Sequence, residues 1–197
     1  LLEHRFIKII PNEELVSFSE EKNKVVVDFK SGLRKSYDAL AVCTGKGLKD
    51  FNDNLKVSYG LMAGISNKDL FNIKKPLNHQ GYIIPKVDGT NWIGSTYEQS
   101  PDLKKENIEE KIKLNHAIFG RKGMSFEIHD IWEGERVSAR SNLPIASKIP
   151  ETKNIYCIGG LGSRGLSYAP FLAEIVSSAI QDKQIPLSKE IFSLLNI

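Results

Sequence analysis

The chain has 197 residues, of which 41% are hydrophobic and 26% are charged, and its formal net charge is +3. This is an ordinary globular composition with enough apolar material for a core, in one domain or two small ones. The mild positive charge permits an anionic partner, but a dedicated nucleic-acid module usually has a denser basic stripe. No apolar run approaches the roughly 18 residues of a membrane span, and no signal peptide opens the chain.

One basic cluster stands out near the N-terminus, with acidic residues Glu20, Glu21 and Asp28 among its members. Because the two signs are mixed, we favour a solvated surface over a polyanion contact. The cluster consists of Lys22, Lys24, Lys30, Arg34 and Lys35.

The two cysteines, Cys43 and Cys157, each lie in an apolar run without metal-ligand spacing to a histidine or another cysteine. They are interpreted as small buried strand residues in a reducing compartment, so we expect a cytoplasmic protein without a metal site. The chain starts at Leu1, in a strand-like run, and this start suggests a longer protein.

The N-terminal quarter is predicted to be β-structure. Residues 5–10 are predicted to form a strand, and residues 13–37 a β-meander of three short strands separated by turn-like EEKN and SG. Residues 38–44 form a nearly continuous apolar run, which suits a strand buried on both faces of a parallel sheet.

The middle of the chain reads as further β-structure with one helix. Residues 55–65 and 80–97 are strand-like, and Asp88-Gly89 indicates a hairpin turn in the second of these segments. Apolar residues recur at helical spacing over 104–119, and residues 125–138 are again predicted to be β-structure.

The C-terminal part reads as strand, glycine-rich turn and helix. A short buried strand is predicted over 154–158 and a helix over about 167–182. The apolar stripe of that helix consists of Ala169, Leu172, Ala173, Val176, Ala179 and Ile180. The element order predicts an α/β (α+β) fold. In it, an α/β nucleotide-binding layer in residues 1–50 and 149–197 is interleaved with an antiparallel-sheet domain in residues 51–148.

The glycine-rich turn is the motif that carries chemistry. Glycines at 159, 160, 162 and 165 let the backbone take positive φ angles and approach a ligand closely. The following helix N-terminus favours an anion or an electron-rich ring edge. The generic dinucleotide fingerprint fits poorly, since no second strand follows, and a purely structural turn stays open.

The segment GGLGSRGLSYAPFLAEIVSSAI resembles the C-terminal flavin motif of the D-amino-acid oxidase and glycine oxidase superfamily, most closely the FAD domain of bifunctional tRNA wobble-uridine enzymes. YDALAVCTG, GYIIPKVDGTNWIGSTYE and WEGERVSARSNLPIASKIPE resemble further family segments in the right order. The resemblance implies the C-terminal portion of a Rossmann-like FAD-binding domain. The family's N-terminal GxGxxG unit and an upstream methyltransferase domain are missing from these 197 residues. Ser141-Asn142 and Ser147 replace the usual Asp and Gly around Leu-Pro.

The resemblance implies an FAD-dependent reaction at an amine carbon. A hydride passes from the C–H beside nitrogen to the flavin, and the imine hydrolyses. In the wobble-uridine enzymes, a carboxymethylaminomethyl group on tRNA would become aminomethyl, with release of glyoxylate. The partners implied are tRNA and an upstream methyltransferase domain.

The same resemblance implies site residues. Arg136 would bind the substrate carboxylate, Tyr82 could bond it, and Arg164 would lie near flavin or substrate. The alternatives are a surface strand arginine, a half-buried strand tyrosine and a turn arginine that caps backbone carbonyls. His79 and Arg140 are weaker candidates. The cofactor-binding residues would be Gly45, Gly160, Gly162, Ser163, Arg164, Gly165 and Leu166.

Three other functions stay open. A small-molecule oxidase of glycine, sarcosine or a D-amino acid would share all of this chemistry. The isolated 197 residues could also bind no FAD and catalyse nothing. A generic NAD-binding protein is the weakest alternative, because no complete βαβ unit is present.

Overall fold

A computed structural model describes residues 6–66, 75–78, 81–86, 90–102, 106–110 and 127–183. The chain divides into two compact units. The first unit combines Leu1–Asn54 with Ala139–Ile197, and the second unit is Leu55–Ser138. Within the described residues, no helix is both long and apolar enough to cross a membrane.

The first unit begins with a three-stranded antiparallel meander, β1 (Leu15–Glu21), β2 (Lys24–Phe29) and β3 (Arg34–Tyr37). The meander predicted over 13–37 is therefore confirmed. Val25, Val26 and Val27 of the central strand are buried. Lys22 and Asn23 turn the chain between β1 and β2 with φ of 50° and 65°, as a tight hairpin requires.

The basic cluster of the meander is largely neutralised by its own acidic neighbours, which supports the solvated-surface interpretation. Because these ion pairs are exposed, each stabilises the fold by only about 0–1 kcal/mol. The pairs are Lys24 with Asp38, Lys30 with Glu14 at 2.7 Å, and Arg34 with Glu21 at 2.8 Å and with Asp28 at 3.2 Å.

A second sheet of the first unit contains β4 (Leu40–Val42), β10 (Ile145–Lys148) and β11 (Ile155–Gly159), in the order β10-β11-β4. β4 pairs with β11 in parallel, as predicted for the returning strand. The expectation that β4 is buried on both faces was wrong, because its side chains alternate between the faces and only one face is covered: Val42 is buried and Ala41 is exposed. β10 was not predicted from the sequence; it pairs antiparallel with β11.

The helix α1 (Gly165–Ile180) packs on this second sheet. Leu172, Ile175 and Val176 form its buried face, in one cluster with Ala146 of β10 and Tyr156 of β11.

The predicted apolar stripe of α1 was partly wrong. Ala169, Ala173 and Ile180 are exposed, whereas Ile175, which was not in the stripe, is buried. The reason is geometric: a helix on one sheet buries a single face, and that face is centred on Leu172 and Val176.

The strand predicted at residues 5–10 was also wrong where the structure describes it. Phe6 is in a turn, and residues 7–10 have no regular structure. Phe6, Ile7 and Ile9 are 76%, 46% and 51% exposed. A strand needs a partner for its backbone groups, and no described strand pairs with this segment.

Within the described residues, the second unit is built on a sheet of five strands. They are β5 (Leu55–Ser66), β6 (Leu77–Asn78), β7 (Tyr82–Pro85), β8 (Asn91–Gly94) and β9 (Glu127–Ala139), of which Ala139 belongs to the first unit. Their order in the sheet is β6-β7-β8-β5-β9. β7 and β8 pair antiparallel, which confirms the predicted hairpin, although its turn at 87–89 lies outside the described residues.

One face of this sheet carries the core of the second unit. Residues 106–110 are helical and supply Ile108 to it, and the rest of the helix predicted over 104–119 lies outside the described residues. The core cluster contains Leu61, Ala63, Ile65, Ile83, Ile93 and Ile108. Because side chains alternate along a strand, Met62, Tyr82 and Trp92 lie on the opposite face, called here the outer face.

A carboxylate joins the meander to the second sheet within the first unit. Glu20 of β1 accepts hydrogen bonds from the backbone N–H groups of Lys153, at 2.9 and 3.0 Å, and of Asn154. Hydrogen bonds from these two donors lower the pKa of Glu20, and the Lys153 N–H contributes most.

We predict that Glu20→Gln lowers the free energy of unfolding at pH 7 by about 0.5–1 kcal/mol, a small value because Glu20 is open to solvent. Its folded-state pKa is lowered, so this stabilisation is complete above the ordinary value of 4.5 and is lost as the pH falls through the folded-state pKa. The free energy of unfolding should be measured in urea at pH 7 and from pH 5 to 3. The values for the variant and the wild type should differ at pH 7 and become equal in acid. Glu14→Gln, which loses only the exposed pair with Lys30, should change less. A pH-independent difference would contradict the assignment.

Candidate functional site

Two glycine-containing turns of the first unit lie at the same edge of the second sheet. They follow the carboxyl ends of β4 and β11, which are parallel neighbours. Gly45, with φ of 58°, begins a 3₁₀ helix after β4, and Gly160 and Gly162, with φ of 66° and 58°, follow β11. Carboxyl edges of parallel strands are where α/β sheets bind ligands.

The two turns are also in direct contact. Leu48, in the 3₁₀ helix Gly45–Asp50, is 1% exposed. A Cβ atom added at Gly159 would lie 2.2 Å from Leu48 Cδ1. Glycine at 159 is therefore required for the leucine to close against the end of β11.

The second turn leads directly into the N-terminus of α1. A 3₁₀ turn, Gly162–Arg164, precedes α1, and no side chain caps the helix or places an acid in its first turn. Ser163 is exposed, and Leu166 is 98% exposed. The predicted cofactor residues are thus brought together in one turn whose dipole favours an electron-rich group.

Arg164 is bound within the first unit. Its Nη1 donates to Tyr168 Oη at 3.3 Å, its Nη2 donates to the carbonyl of Asn142, and its guanidinium lies 5.1 Å from the centroid of the Tyr168 ring. This is the contact expected of a turn arginine that binds a backbone carbonyl. A role at flavin or substrate stays a prediction.

Arg136 and Tyr82 belong to the second unit. Tyr82, on β7, is half-buried on the outer face, and its Oη donates to Met62 Sδ at 3.3 Å. Arg136, on β9, is half-buried with its guanidinium 5.0 Å from the centroid of the Tyr97 ring. Among the described residues, this ring is the partner found for that guanidinium.

Two-residue alternation along β9 predicts that the side chain of Arg136 lies on the outer face, where Tyr82 also lies. Asp130 Cβ lies 3.5 Å from where a Cβ on Gly64 would be, and Gly64 is on the outer face beside Trp92. Trp132 and Gly134 share one side of β9, since ring atoms of Trp132 lie 2.8 and 3.0 Å from where a Cβ on Gly134 would be, and two-residue alternation from Asp130 predicts the same side for Arg136.

Arg140, a weaker candidate from the sequence, has no functional contact among the described residues, and two aromatic residues were not predicted. Arg140 is exposed, and its backbone N–H donates to the Asn54 carbonyl at 2.7 Å; His79 lies outside the described residues. Sequence reasoning missed Tyr97, which contacts Arg136, and Trp132. The two-residue spacing of Trp132, Gly134 and Arg136 would have indicated a shared strand face.

The cysteine interpretation holds for one residue. Cys157 is buried in β11 beside Ser147, with 3.3 Å between Sγ and Oγ, which shows how Ser147 is accommodated where the family usually has glycine. Cys43 is exposed, contrary to expectation, because β4 ends at Val42. Among the described residues, no group of three or more metal-ligating side chains occurs.

Residues 2–179 match the family model described as FAD dependent oxidoreductase. The chain belongs to this family. FAD is therefore the cofactor that its membership implies, and the three positive-φ glycines, Gly45, Gly160 and Gly162, and the uncapped helix start fit such a group.

Curated relatives and solved structures agree with this assignment. The "tRNA 5-methylaminomethyl-2-thiouridine biosynthesis bifunctional protein MnmC" of Polaromonas naphthalenivorans is 29% identical over 57% of this chain and 20% of its own length. The protein of the same name from Shewanella halifaxensis is 22% identical over 94% of this chain and 35% of its own length. The chain therefore spans about a third or less of these relatives.

The fold is shared with amino-acid oxidases. Glycine oxidase from Bacillus cereus has a TM-score of 0.68 at 22% identity, over 88% of this chain and 51% of that chain. Glycine oxidase from Geobacillus kaustophilus has a TM-score of 0.71 at 15% identity, over 91% and 51%. These similarities confirm the predicted α/β fold class.

We predict that Gly159→Ala destabilises the protein by about 1–3 kcal/mol, because its methyl group would overlap Leu48. In a Leu48→Ala background the penalty should be smaller, since the overlapping methyl is gone. Urea unfolding of the four proteins of this cycle measures the coupling. Gly165→Ala is the control, since its Cβ would meet only Leu161 atoms at 3.8 Å. Equal penalties for Gly159→Ala in both backgrounds would contradict the contact.

Proposed function

We propose that this chain is part of an FAD-dependent oxidoreductase acting on a CH–NH group. Its substrate would be carboxymethylaminomethyl-(2-thio)uridine at the wobble position of tRNA, from which it removes the carboxymethyl group. The proposal is supported by membership of the FAD dependent oxidoreductase family and by relatives named for tRNA 5-methylaminomethyl-2-thiouridine biosynthesis.

The structural observation that best supports the proposal is the contact between the guanidinium of Arg136 and the Tyr97 ring. A carboxymethyl amine is glycine-like, so its site needs a fixed cation with unbound donors. The guanidinium of Arg136 lies 5.0 Å from the centroid of the Tyr97 ring, and in this proposal its planar N–H fork binds the carboxylate. Arg164 is less suited to this role, since its N–H groups already bind Tyr168 and Asn142.

The other residues take roles around the same chemistry. FAD, when bound, supplies the acceptor for the hydride of the C–H beside nitrogen. Gly45 and the turn from Gly160 to Leu166 would hold it, with the turn's N–H groups toward the electron-rich edge of the ring. Tyr82 would exchange its weak bond to Met62 Sδ for one to the substrate carboxylate. Hydrolysis of the imine would release glyoxylate and leave the aminomethyl group on the uridine.

A small-molecule amine oxidase is the second candidate. It is favoured by the structural similarity to two glycine oxidases. Glycine and sarcosine carry the same amine and carboxylate, so Arg136, Tyr82 and the glycine turn would act on them in the same way. The two candidates differ in what the amine is attached to.

The proposal assigns flavin binding and substrate binding to different parts of the chain. Residues 1–50 and 149–197 would hold the flavin, and residues 51–148 would bind the substrate. An upstream methyltransferase domain and a cytoplasmic location would accompany a tRNA substrate. Because the chain spans a fraction of its relatives, these 197 residues alone could also lack FAD binding and activity.

The proposal is tested with the full-length protein carrying FAD. We expect release of glyoxylate from tRNA that bears carboxymethylaminomethyluridine, with kcat/KM at least about 100-fold above that for glycine or sarcosine, because binding of the RNA contributes to transition-state binding. Glyoxylate can be measured by its hydrazone. The reverse preference would establish the small-molecule oxidase instead.

We predict that Arg136→Ala lowers kcat/KM on the modified tRNA by about 10- to 100-fold, the loss of one charge-assisted pair of about 1.5–3 kcal/mol. Arg136→Lys should recover only part of this, because lysine lacks the bidentate fork. Arg34→Ala, in the self-neutralised meander, is the matched control and should keep wild-type kinetics. Unchanged kcat/KM in Arg136→Ala would remove Arg136 from the site.

A further inference from the structure

Trp132 presents a large aromatic surface to solvent on the outer face of the second unit. Its side chain is on β9, and the residue is 58% exposed. A Cβ atom added at Gly134 would lie 2.8 and 3.0 Å from ring atoms Cζ3 and Cη2 of Trp132. The six-membered ring of the indole therefore lies against Gly134, where a side chain would collide with it, and more than half of the residue's surface stays open to solvent.

The surroundings of this ring combine aromatic groups with cations. Arg136 lies two positions beyond Gly134, with its guanidinium 5.0 Å from the centroid of the ring of Tyr97, which is 60% exposed. Elsewhere on the outer face, the Lys86 ammonium lies 4.7 Å from the centroid of the Trp92 ring. Exposed rings interleaved with basic side chains are what single-stranded nucleic acids bind, by base stacking and phosphate contacts.

The charges on β9 support the same interpretation. Glu133 and Glu135 are both exposed and lie at the positions that alternate with Trp132, Gly134 and Arg136 along the strand. Asp130 is the acidic residue of β9 that shares their face, and it lies on the far side of Trp132 from Arg136. The ring is thus flanked on one side by a cation whose partner found among the described residues is an aromatic ring.

We propose that Trp132 is a stacking platform for an unpaired nucleobase of the RNA substrate, next to the uridine whose side chain Arg136 binds. This inference rests on the proposed tRNA function and specifies where that RNA contacts the chain. Gly134 leaves room for the indole because it has no side chain. Arg136, by binding the substituent of the uridine, would set the distance between the stacked base and the reacting group. The basic meander of the first unit is not required, since its ion pairs neutralise it.

The test is binding of an anticodon stem–loop RNA, with uridine at the wobble position, to the full-length protein. Fluorescence anisotropy of labelled RNA should show Trp132→Ala weakening binding about 10- to 100-fold, the loss of one stacked base. Trp132→Phe, which keeps a ring, should lose no more than about 3-fold. Because stacking releases no counterions, the slope of log Kd against log salt should be the same in Trp132→Ala and wild type.

The control is Val16→Ala in the meander, since Val16 is similarly exposed at 63%. It should bind the RNA as wild type does. Turnover of glycine or sarcosine, which contain no base, should be equal in Trp132→Ala and wild type and reports that the variant is folded. Equal RNA affinity of Trp132→Ala and wild type would overturn the stacking site and leave the tRNA function standing. Absence of RNA binding by the wild type would overturn both.

Discussion

The parallel pairing of β4 with β11 is the constraint on which the candidate flavin site depends. These strands lie on either side of the second unit in the sequence, so their pairing closes a long loop of chain. The register, with Cys157 opposite Val42, brings both carboxyl ends to one edge of the sheet. The turns after them then meet through Leu48 and Gly159. Burial of Leu172 and Val176 on the neighbouring strands fixes the start of α1 beside the same edge.

Local signals in the sequence were sufficient for the elements whose partners are close in sequence. The meander around Val25–Val27 and the hairpin of β7 and β8 were predicted because alternation and turn residues occur together. The segment at 5–10 has the same apolar character, yet residues 7–10 form no strand. An apolar pattern indicates that a segment can form a strand. The strand forms only where another strand pairs with it, and a short stretch of sequence does not show whether such a partner exists.

The same limit applies to burial and to side-chain partners. The stripe of α1 was misplaced because the period of a helix is local, but the side that meets β10 and β11 is decided by the sheet. Cys43 was taken as buried because it continues an apolar run, although the strand ends one residue earlier. The contact of Arg136 with Tyr97 and that of Arg164 with Asn142 join distant segments, and no spacing rule could have given them.

The cationic side chains of this chain differ in the partners that they contact. These partners distinguish the cations that stabilise the fold from the cation proposed to bind a substrate. Lys24, Lys30 and Arg34 form ion pairs with carboxylates in and beside the meander, which weakens the positive potential that a ligand would meet. Arg164 uses its donors on a hydroxyl and a carbonyl. Arg136 has an aromatic partner instead, since its guanidinium lies 5.0 Å from the centroid of the Tyr97 ring, and a cation–π contact adds no opposing charge. This is the reason that Arg136, rather than Arg164, is the arginine proposed to bind a carboxylate, with Tyr97 as the residue that would position it.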